Sequence, residues 1–227
     1  MRPCTLQLDL YEPEADTVTE RPAIIFMHGG GFSTGSKRSP ELVDQANHFA
    51  ERGYVTASIS YRLAENGCSS AGPDAECLTA IAHALEDAQT AVRHVRDEAG
   101  AYGIDTDRIA FAGTSAGAIT AANVALRSAE DPDAGVAGAV SLSGASILTT
   151  PNEGDAPLLL FHGTADPLVP YQWAVNTRDR AEGTGARVVL HHWDGAGHVP
   201  YVEFREQILN GTRNFLYHHL DLADAAR

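Results

Sequence analysis

Residues 109–117 read Ile-Ala-Phe-Ala-Gly-Thr-Ser-Ala-Gly, and an alanine-rich segment follows them to Arg127. The first four residues form a continuous apolar run, typical of a strand buried on both faces of a sheet, and alanine is the best helix former. The stretch 113–117 therefore places the pattern G-x-S-x-G between a strand and a helix, which is the setting that the pattern requires. Ser115 is expected at the head of the helix, where developing negative charge is favoured. The alternative is a serine that only caps the helix.

Apolar runs of strand length recur on both sides of this turn and alternate with helix-length segments. The runs cover residues 23–27, 55–59, 109–112, 136–142, 157–161 and 188–193, and Leu6, Leu8 and Leu10 alternate with polar residues as in an edge strand. Helical patterns cover 40–52, a long stretch from Pro73, 116–127, 171–181 and 202–220. This order predicts an α/β fold: a mostly parallel, twisted sheet of about seven strands, the first antiparallel, with helices on both faces. We expect residues 1–227 to form a single domain.

The charge balance argues against two classes of partner, nucleic acids and anionic membrane surfaces. The 227 residues include 30 acidic and 16 basic side chains, which gives a formal charge of −14, whereas nucleic acids and anionic membrane surfaces attract basic proteins. No apolar run approaches the roughly 18 residues of a transmembrane helix. The chain start lacks the apolar stretch of a signal peptide, but removal of a segment from a longer precursor stays open. The compartment and the oligomeric state are left unassigned.

Ligands bind at the carboxyl ends of the strands in such sheets, so the residues just after each apolar run are the candidates for chemistry. His28-Gly29-Gly30-Gly31-Phe32 directly follows the run 23–27. Three glycines let backbone N–H groups approach a substrate oxygen closely, since no Cβ intervenes. Donors of this kind stabilise the charge that develops in a transition state. The alternative is a flexible surface turn.

A nucleophilic serine needs a base, and the base needs an acid that orients it. His198 stands in the loop after the last strand, where catalytic groups are common, whereas most other histidines fall within helix or strand patterns. Asp166 follows the run 157–161 and is expected at the carboxyl end of its strand, although an Asx-turn before Pro167 explains it as well. The chain order serine, aspartate, histidine is that of one class of hydrolases.

Four segments together resemble the motifs of the α/β-hydrolase superfamily: residues 28–32, 113–117, 162–166 and 197–198. The closer likeness is to the carboxylesterases of the hormone-sensitive-lipase-like and feruloyl-esterase-like groups, and it covers residues 5 to 220. Two further segments match these relatives, Tyr61-Arg62-Leu63 and Glu86-Asp87-Ala88. We interpret both as structural, with a local partner for Asp87 if that carboxylate is buried.

The resemblance implies hydrolysis of carboxylic esters through an acyl-enzyme. Ser115 would be the nucleophile, His198 the base and Asp166 the orienting acid. No cofactor is implied, and a metal site at His191 and His192 is not expected because adjacent strand residues point to opposite faces. The implied partner is a small-molecule ester, with no nucleic acid and no membrane. The implied oxyanion hole consists of the backbone N–H groups of Gly30, Gly31 and Ala116.

The sequence departs from many of these relatives in having no room for a helical cap. The first strand begins almost at Met1, and only residues 143–156 separate two consecutive apolar runs. We therefore expect a shallow, open pocket that suits small or short-chain acyl groups; feruloyl esters or acetyl groups on xylan are alternatives for an exported protein. Core or rim packing explains each of the candidate pocket residues equally well. These candidates adjoin the motifs and are Phe32, Tyr61, Ile147, Leu168, Val169 and Val199.

Cys68 and Cys77 flank a loop that also follows the carboxyl end of a strand, near the expected site. A disulfide between them would contribute roughly 2–3 kcal/mol to stability by loop-entropy arguments and would favour export, whereas free thiols would favour the cytoplasm. Two independent buried thiols are the alternative. Cys4 is interpreted as a bystander.

Two other functions share the same motifs. A serine peptidase of this fold would carry them all, but such enzymes usually have an additional propeller domain, for which 227 residues leave no room. A catalytically inactive, ligand-binding member of the superfamily would typically lack a residue of the triad, and here all three are present.

Overall fold

The structure, a computed structural model, describes residues 5–14, 17–68 and 72–225, so Cys4 lies outside the described residues. The strands are β1 (Leu8–Tyr11), β2 (Arg21–Met27), β3 (Val55–Ile59), β4 (Ile104–Thr114), β5 (Gly138–Leu142), β6 (Leu158–Gly163) and β7 (Val188–Trp193). The helices are α1 (Pro40–Ala50), α2 (Ala75–Asp97), α3 (Ala99–Tyr102), α4 (Ala116–Ala125), α5 (Tyr171–Glu182), α6 (Tyr201–His219) and α7 (Leu222–Ala225), and a 3₁₀ turn spans Pro132–Ala134. The predicted strands and long helices are all present.

All seven strands form one sheet in the order β1-β3-β2-β4-β5-β6-β7. As predicted, β1 is antiparallel to its neighbour, and the other pairs are parallel. The chain runs from β2 outward to β3 and then returns to add β4 on the other side of β2. The direction of winding therefore reverses between β2 and β4, and their carboxyl ends form the crevice where ligands bind in open α/β sheets.

The sheet is buried on both faces, which explains the continuous apolar runs. Along β2, Ala23, Ile25 and Met27 pack with α2 and α4, whereas Ile24 and Phe26 pack with α1 and α6 on the opposite face. All ten residues of α4 are buried. Alanine occupies five of these positions and glycine one, so this helix lies close to the sheet, directly behind Ser115.

Two local features set where α2 and β4 begin. Helix α2 begins at Ala75 because the side chain of Asp74 accepts a hydrogen bond from the backbone N–H of Cys77 and so caps the helix. Strand β4 begins at Ile104, earlier than the apolar run, and its first residues are joined to β2 through an irregular register between Arg21 and Ala23.

No helical cap covers the carboxyl edge of the sheet in the described part of the chain. The connection between β5 and β6, residues 143–157, contains no helix. Nor is any helix among the described residues both long and apolar enough to span a membrane.

Candidate active site

Ser115 lies in a strained turn between β4 and α4. Its backbone has φ 53° and ψ −115°, a conformation that residues with a side chain rarely adopt. The turn closes because its flanking glycines are in contact: a Cβ on Gly113 would lie 2.3 Å from the carbonyl carbon of Gly117. A Cβ on Gly117 would in turn lie 2.0 Å from the carbonyl oxygen of Met27. The glycine requirement of the pattern is thus steric, and the turn leaves Ser115 Oγ at the head of the helix.

Ser115, His198 and Asp166 form a continuous hydrogen-bonded line. His198 Nε2 is 2.8 Å from Ser115 Oγ, and His198 Nδ1 is 2.7 Å from Asp166 Oδ2. An ionised carboxylate only accepts hydrogen bonds, so Nδ1 carries the proton and Nε2 is free to accept the serine proton. The Asp166 side chain is fully buried and that of His198 is largely buried. The arrangement is chemically able to withdraw a proton from Ser115.

Asp166 is held by more than His198. Its Oδ1 accepts backbone hydrogen bonds from Leu168 (2.9 Å) and Val169 (3.0 Å), so the Asx-turn is present together with the contact to the histidine. The Nε2–H of the fully buried His162 donates to the Val169 carbonyl at 2.9 Å and lies 3.3 Å from Asp166 Oδ2. Burial alone raises the pKa of Asp166, but the hydrogen bonds from both histidines and both amides outweigh it and hold that pKa well below its usual range.

The loop that carries His198 rests directly on the end of β6. A Cβ on Gly163 would lie 2.3 Å from the carbonyl oxygen of Ala196 and 2.4 Å from that of Gly197, so glycine is needed for this close approach. The backbone N–H of Ala165 donates to the Ala196 carbonyl at 3.0 Å. These contacts fix the distance between the loop that carries Asp166 and the loop that carries His198.

The three-glycine loop lies beside the serine turn, because Met27 of β2 pairs with Gly113 of β4. Gly31 and Ala116 line the same cavity as Ser115. Gly30 does not line that cavity; its carbonyl accepts hydrogen bonds from the backbone N–H groups of Ser33 and Thr34, which fold the loop into a tight turn. Gly30 and Gly31 have φ values of +110° and +59°. Glycine adopts positive φ at no steric cost, which explains why it occupies both positions.

Tyr61 and His28 pack beneath this loop, and Tyr61 is not among the residues that line the cavity at Ser115. The Tyr61 hydroxyl donates to the His28 carbonyl at 3.2 Å, and the two rings stack at 4.4 Å. His28 Nδ1–H in turn donates to the Gly29 carbonyl at 2.7 Å. Burial raises the pKa of Tyr61 and lowers that of His28, which keeps both side chains neutral.

A small apolar cavity of about 110 Å³ opens beside Ser115. Four candidate pocket residues line it: Phe32, Ile147, Leu168 and Val169. Six further residues line it that were not among the predicted pocket residues: Cys68, Pro73, Cys77, Ile81, Ile119 and Trp173. Ile81 and Ile119 belong to helical patterns that predict only core packing, and no local motif marks Trp173. An open cleft of about 650 Å³ adjoins the cavity at Pro73, Ile147 and Trp173.

Val199 is not among the residues that line this cavity. It packs against the core on the α1 and α6 side of the sheet, and its φ of 45° is rare for a β-branched residue. Its backbone N–H donates to the Oγ of Ser143 at 2.9 Å. Ser143 itself is fully buried. Ser143 directly follows β5, and its position at the carboxyl end of a strand is the sequence feature that would have marked it as a candidate site residue.

Cys68 and Cys77 are joined by a disulfide, and both line the cavity. Cys77 belongs to the first turn of α2, whereas Cys68 donates a backbone hydrogen bond of 2.8 Å to the carbonyl of Gly31. The disulfide therefore connects a core helix to the three-glycine loop.

Arg62 is the partner of the buried Asp87. The Arg62 backbone N–H and its Nε each donate to the Asp87 carboxylate at 2.8 Å, and Nη2 bonds Glu86. These hydrogen bonds, those of Asp87 first, raise the pKa of Arg62, which stays charged. The pair anchors the segment after β3 to α2 and is structural.

Comparison with known proteins agrees with this architecture. A model of the BD-FAE family matches residues 8–140, and a model of TAP-like proteins matches residues 126–217. The chain is 27% identical over 261 residues to a probable isoprenylcysteine alpha-carbonyl methylesterase of Oryza sativa subsp. japonica, an alignment covering 92% of this chain and 57% of that protein. The chain thus spans little more than half the length of this curated relative.

Solved structures of a thermophilic esterase from Thermogutta terrifontis are similar over nearly the whole chain. The form with bound propionate is 25% identical, with a TM-score of 0.79, and 95% of this chain and 90% of that chain are covered. The form phosphorylated by paraoxon is 26% identical, with a TM-score of 0.78, and the match covers 96% of this chain and 90% of that chain.

The seven-stranded sheet, the serine turn and the histidine and aspartate loops at its carboxyl edge define an α/β-hydrolase. Within that class the family model accounts for the chain from β1 into β5. The chain belongs to the BD-FAE family.

Proposed function

We propose that the protein hydrolyses carboxylic esters with short acyl groups, with Ser115 as the nucleophile. The observation that carries the proposal is the hydrogen-bonded line from Ser115 through His198 to Asp166, together with the apolar cavity beside Ser115. A serine activated in this way attacks acyl carbons, and the adjacent cavity is the place for the acyl group. The similarity to an esterase with bound propionate supports the same activity.

In the first half of the reaction, Ser115 Oγ attacks the carbonyl carbon of the ester while its proton passes to His198 Nε2. The carbonyl oxygen becomes an oxyanion that accepts hydrogen bonds from the backbone N–H groups of Gly30, Gly31 and Ala116. Loss of one such donor typically lowers kcat by about 10²–10³. His198 then gives its proton to the leaving alcohol, and the acyl group remains on Ser115.

In the second half, water attacks the acyl-enzyme while His198 takes one of its protons. The oxyanion forms and collapses in the same place, and His198 returns the proton to Ser115 Oγ as the carboxylic acid leaves. Asp166 stays ionised throughout, because its hydrogen bonds hold its pKa well below the usual range. The carboxylate keeps the imidazole in the productive tautomer and stabilises its charged form.

The size of the cavity supports short acyl groups. An apolar protein cavity of about 150 Å³ holds benzene, which has six carbon atoms. A cavity of about 110 Å³ accordingly suits about four carbon atoms, so propionyl and butyryl groups would fill it. Longer or aromatic acyl groups would have to extend past Trp173 and Ile147 into the adjoining open cleft.

A panel of 4-nitrophenyl esters from acetate to decanoate, together with methyl ferulate and an aminoacyl anilide, tests the proposal. We expect the largest kcat/KM at propionate or butyrate, and the Ser115→Ala variant should lose at least about 10³-fold in kcat. A maximum at decanoate or at methyl ferulate would contradict the acyl-group assignment. Faster cleavage of the anilide than of its matching ester would indicate a peptidase. Ester turnover by Ser115→Ala at the wild-type rate would exclude the mechanism.

A further inference from the structure

The segment from Ala64 to Cys68 is hydrogen-bonded along the three-glycine loop. The backbone N–H of Cys68 donates to the Gly31 carbonyl at 2.8 Å, and that of Ala64 donates to the Phe32 carbonyl at 2.8 Å. Phe32 is buried and has a φ of 63°, which is uncommon for a residue with a side chain. The two hydrogen bonds therefore hold a strained part of the loop next to the Gly31 N–H.

Gly67 makes this close contact possible. Its φ is +65°, and a Cβ at this position would lie only 2.1 Å from the carbonyl oxygen of Gly31. Any side chain at residue 67 would push the two segments apart. Gly72, on the same connection, also has a positive φ, but a Cβ there would meet nothing within 4 Å.

The disulfide fixes this segment to the core of the protein. Cys77 is 3% exposed in the first turn of α2, and the preceding Asp74 caps that helix. Both half-cystines line the cavity, together with Ile81 from the next turn of α2. The covalent path from α2 through Cys77 and Cys68 thus ends one hydrogen bond from Gly31.

We propose that the Cys68–Cys77 disulfide determines both the ester hydrolysis rate and the acyl-chain length that the enzyme accepts. This inference rests on the proposed esterase function. With the disulfide intact, Gly31 is held where its N–H meets the oxyanion, and Cys68 and Cys77 form part of the cavity wall. Once it is reduced, the segment 64–68 loses its covalent cross-link to α2 and, among the described residues, keeps only the side-chain hydrogen bonds of Asn66 to Glu76, so the orientation of Gly31 loosens and the wall is able to retreat from longer chains.

The reduction step needs a dithiol such as dithiothreitol. Two electrons and two protons pass from the reagent to the S–S bond, which breaks into two protein thiols, while the reagent closes into its cyclic disulfide. Re-oxidation of the thiols reverses the change. Activity is therefore expected to follow the thiol state of Cys68 and Cys77.

The first test compares oxidised and reduced protein in a Cys4→Ser background, which leaves Cys68 and Cys77 as the only cysteines. Hydrolysis of 4-nitrophenyl propionate and octanoate is measured, with thiol titration and circular dichroism on the same samples. We expect kcat for propionate to fall at least about tenfold on reduction, the octanoate-to-propionate ratio to rise severalfold, and both changes to reverse on re-oxidation. Unchanged kcat and an unchanged ratio in folded, reduced protein would overturn the inference.

The second test keeps the disulfide and disturbs only its contact with the glycine loop. Gly67→Ala should lower kcat for propionate at least about tenfold, whereas the matched control Gly72→Ala should retain wild-type kcat. If the reduced protein unfolds, the comparison of Gly67→Ala with Gly72→Ala is the test of the inference. Equal kcat values for the two variants would then overturn it. An oxidised wild-type protein with no activity on any ester would instead contradict the proposed function itself.

Discussion

The backbone N–H of Val199 donates a hydrogen bond to the Oγ of Ser143 at 2.9 Å. The bond joins the residue after β5 to the residue after the candidate base His198. Val199 is held at φ 45°, which is costly for a β-branched side chain. A strained residue persists only where its surroundings over-determine it, and Ser143 is one of the groups that do so. We therefore assign Ser143 a positioning role for His198.

Removal of the Ser143 hydroxyl should lower kcat and leave KM nearly unchanged. In Ser143→Ala, the Val199 N–H loses its partner, which costs about 1–3 kcal/mol, and the His198 loop is free to relax. We expect kcat to fall about tenfold to a hundredfold with little change in KM. Steady-state kinetics on 4-nitrophenyl propionate, with thermal unfolding of the same samples, provides the measurement.

Ser141, within β5, offers the matched control. Its buried Oγ has no hydrogen-bond partner among the described residues, so Ser141→Ala removes an equivalent atom without breaking a bond. Its kcat should equal that of the wild type. Equal kcat values for Ser141→Ala and Ser143→Ala would refute the positioning role.

Gly163 should tolerate no side chain, because the histidine loop rests on it. The Cβ of Gly163→Ala would lie 2.3 Å from the Ala196 carbonyl oxygen, so the loop must move and His198 with it. We expect kcat to fall about a hundredfold and stability to decrease by about 1–3 kcal/mol. Gly197→Ala, whose Cβ would meet nothing within 4 Å, should keep activity near the wild-type level. Equal losses in the two variants would show that the close approach at Gly163 is unimportant.

Replacement of Asp166 by asparagine should preserve the fold and abolish most activity. An amide at this position presents N–H or carbonyl groups to His198 Nδ1, so the productive tautomer is no longer enforced. We expect kcat to fall about 10³–10⁴-fold, as for orienting aspartates in other triads, with little change in KM. A loss smaller than about tenfold would argue that another carboxylate orients His198.

Asp166 should also make the folded state sensitive to acid. Burial opposes its ionisation, but the hydrogen bonds from His162, His198, Val169 and Leu168 hold its folded pKa below the ordinary value of 3.8. A depressed pKa contributes stability that is fully present above the unfolded pKa and is lost as the pH falls from there through the folded pKa. Urea unfolding from about pH 6 to about pH 3 should show a steeper loss of unfolding free energy in the wild type than in Asp166→Asn. Parallel curves would be inconsistent with the depressed pKa.

The sequence was sufficient to predict the fold and to predict that Ser115, Asp166 and His198 lie at one edge of the sheet, because both predictions follow from local patterns. Buried strands produce apolar runs, and the parallel arrangement puts the residues after 109–112, 157–161 and 188–193 at one edge of the sheet. The serine turn is also local, since Gly113 and Gly117 are needed within the motif itself.

The walls of the cavity were harder to predict because they depend on distant packing. Tyr61 follows a strand and adjoins the site, yet its ring turns beneath the glycine loop to stack on His28. Val199 is next to His198, yet its side chain joins the core. Trp173 reaches the cavity only because α5 packs beside it, and no spacing in the sequence encodes that contact.

The central claim is that Ser115 alone forms the covalent intermediate, and labelling with paraoxon tests it most directly. Attack by Ser115 Oγ on the phosphorus should release one 4-nitrophenolate per chain and leave one diethylphosphoryl group, measured by intact mass spectrometry and located by peptide mapping. We expect the label on Ser115, a loss of ester hydrolysis in proportion to labelling, and no label on Ser115→Ala. A label on another residue, or unlabelled wild-type protein that still hydrolyses esters, would contradict the account.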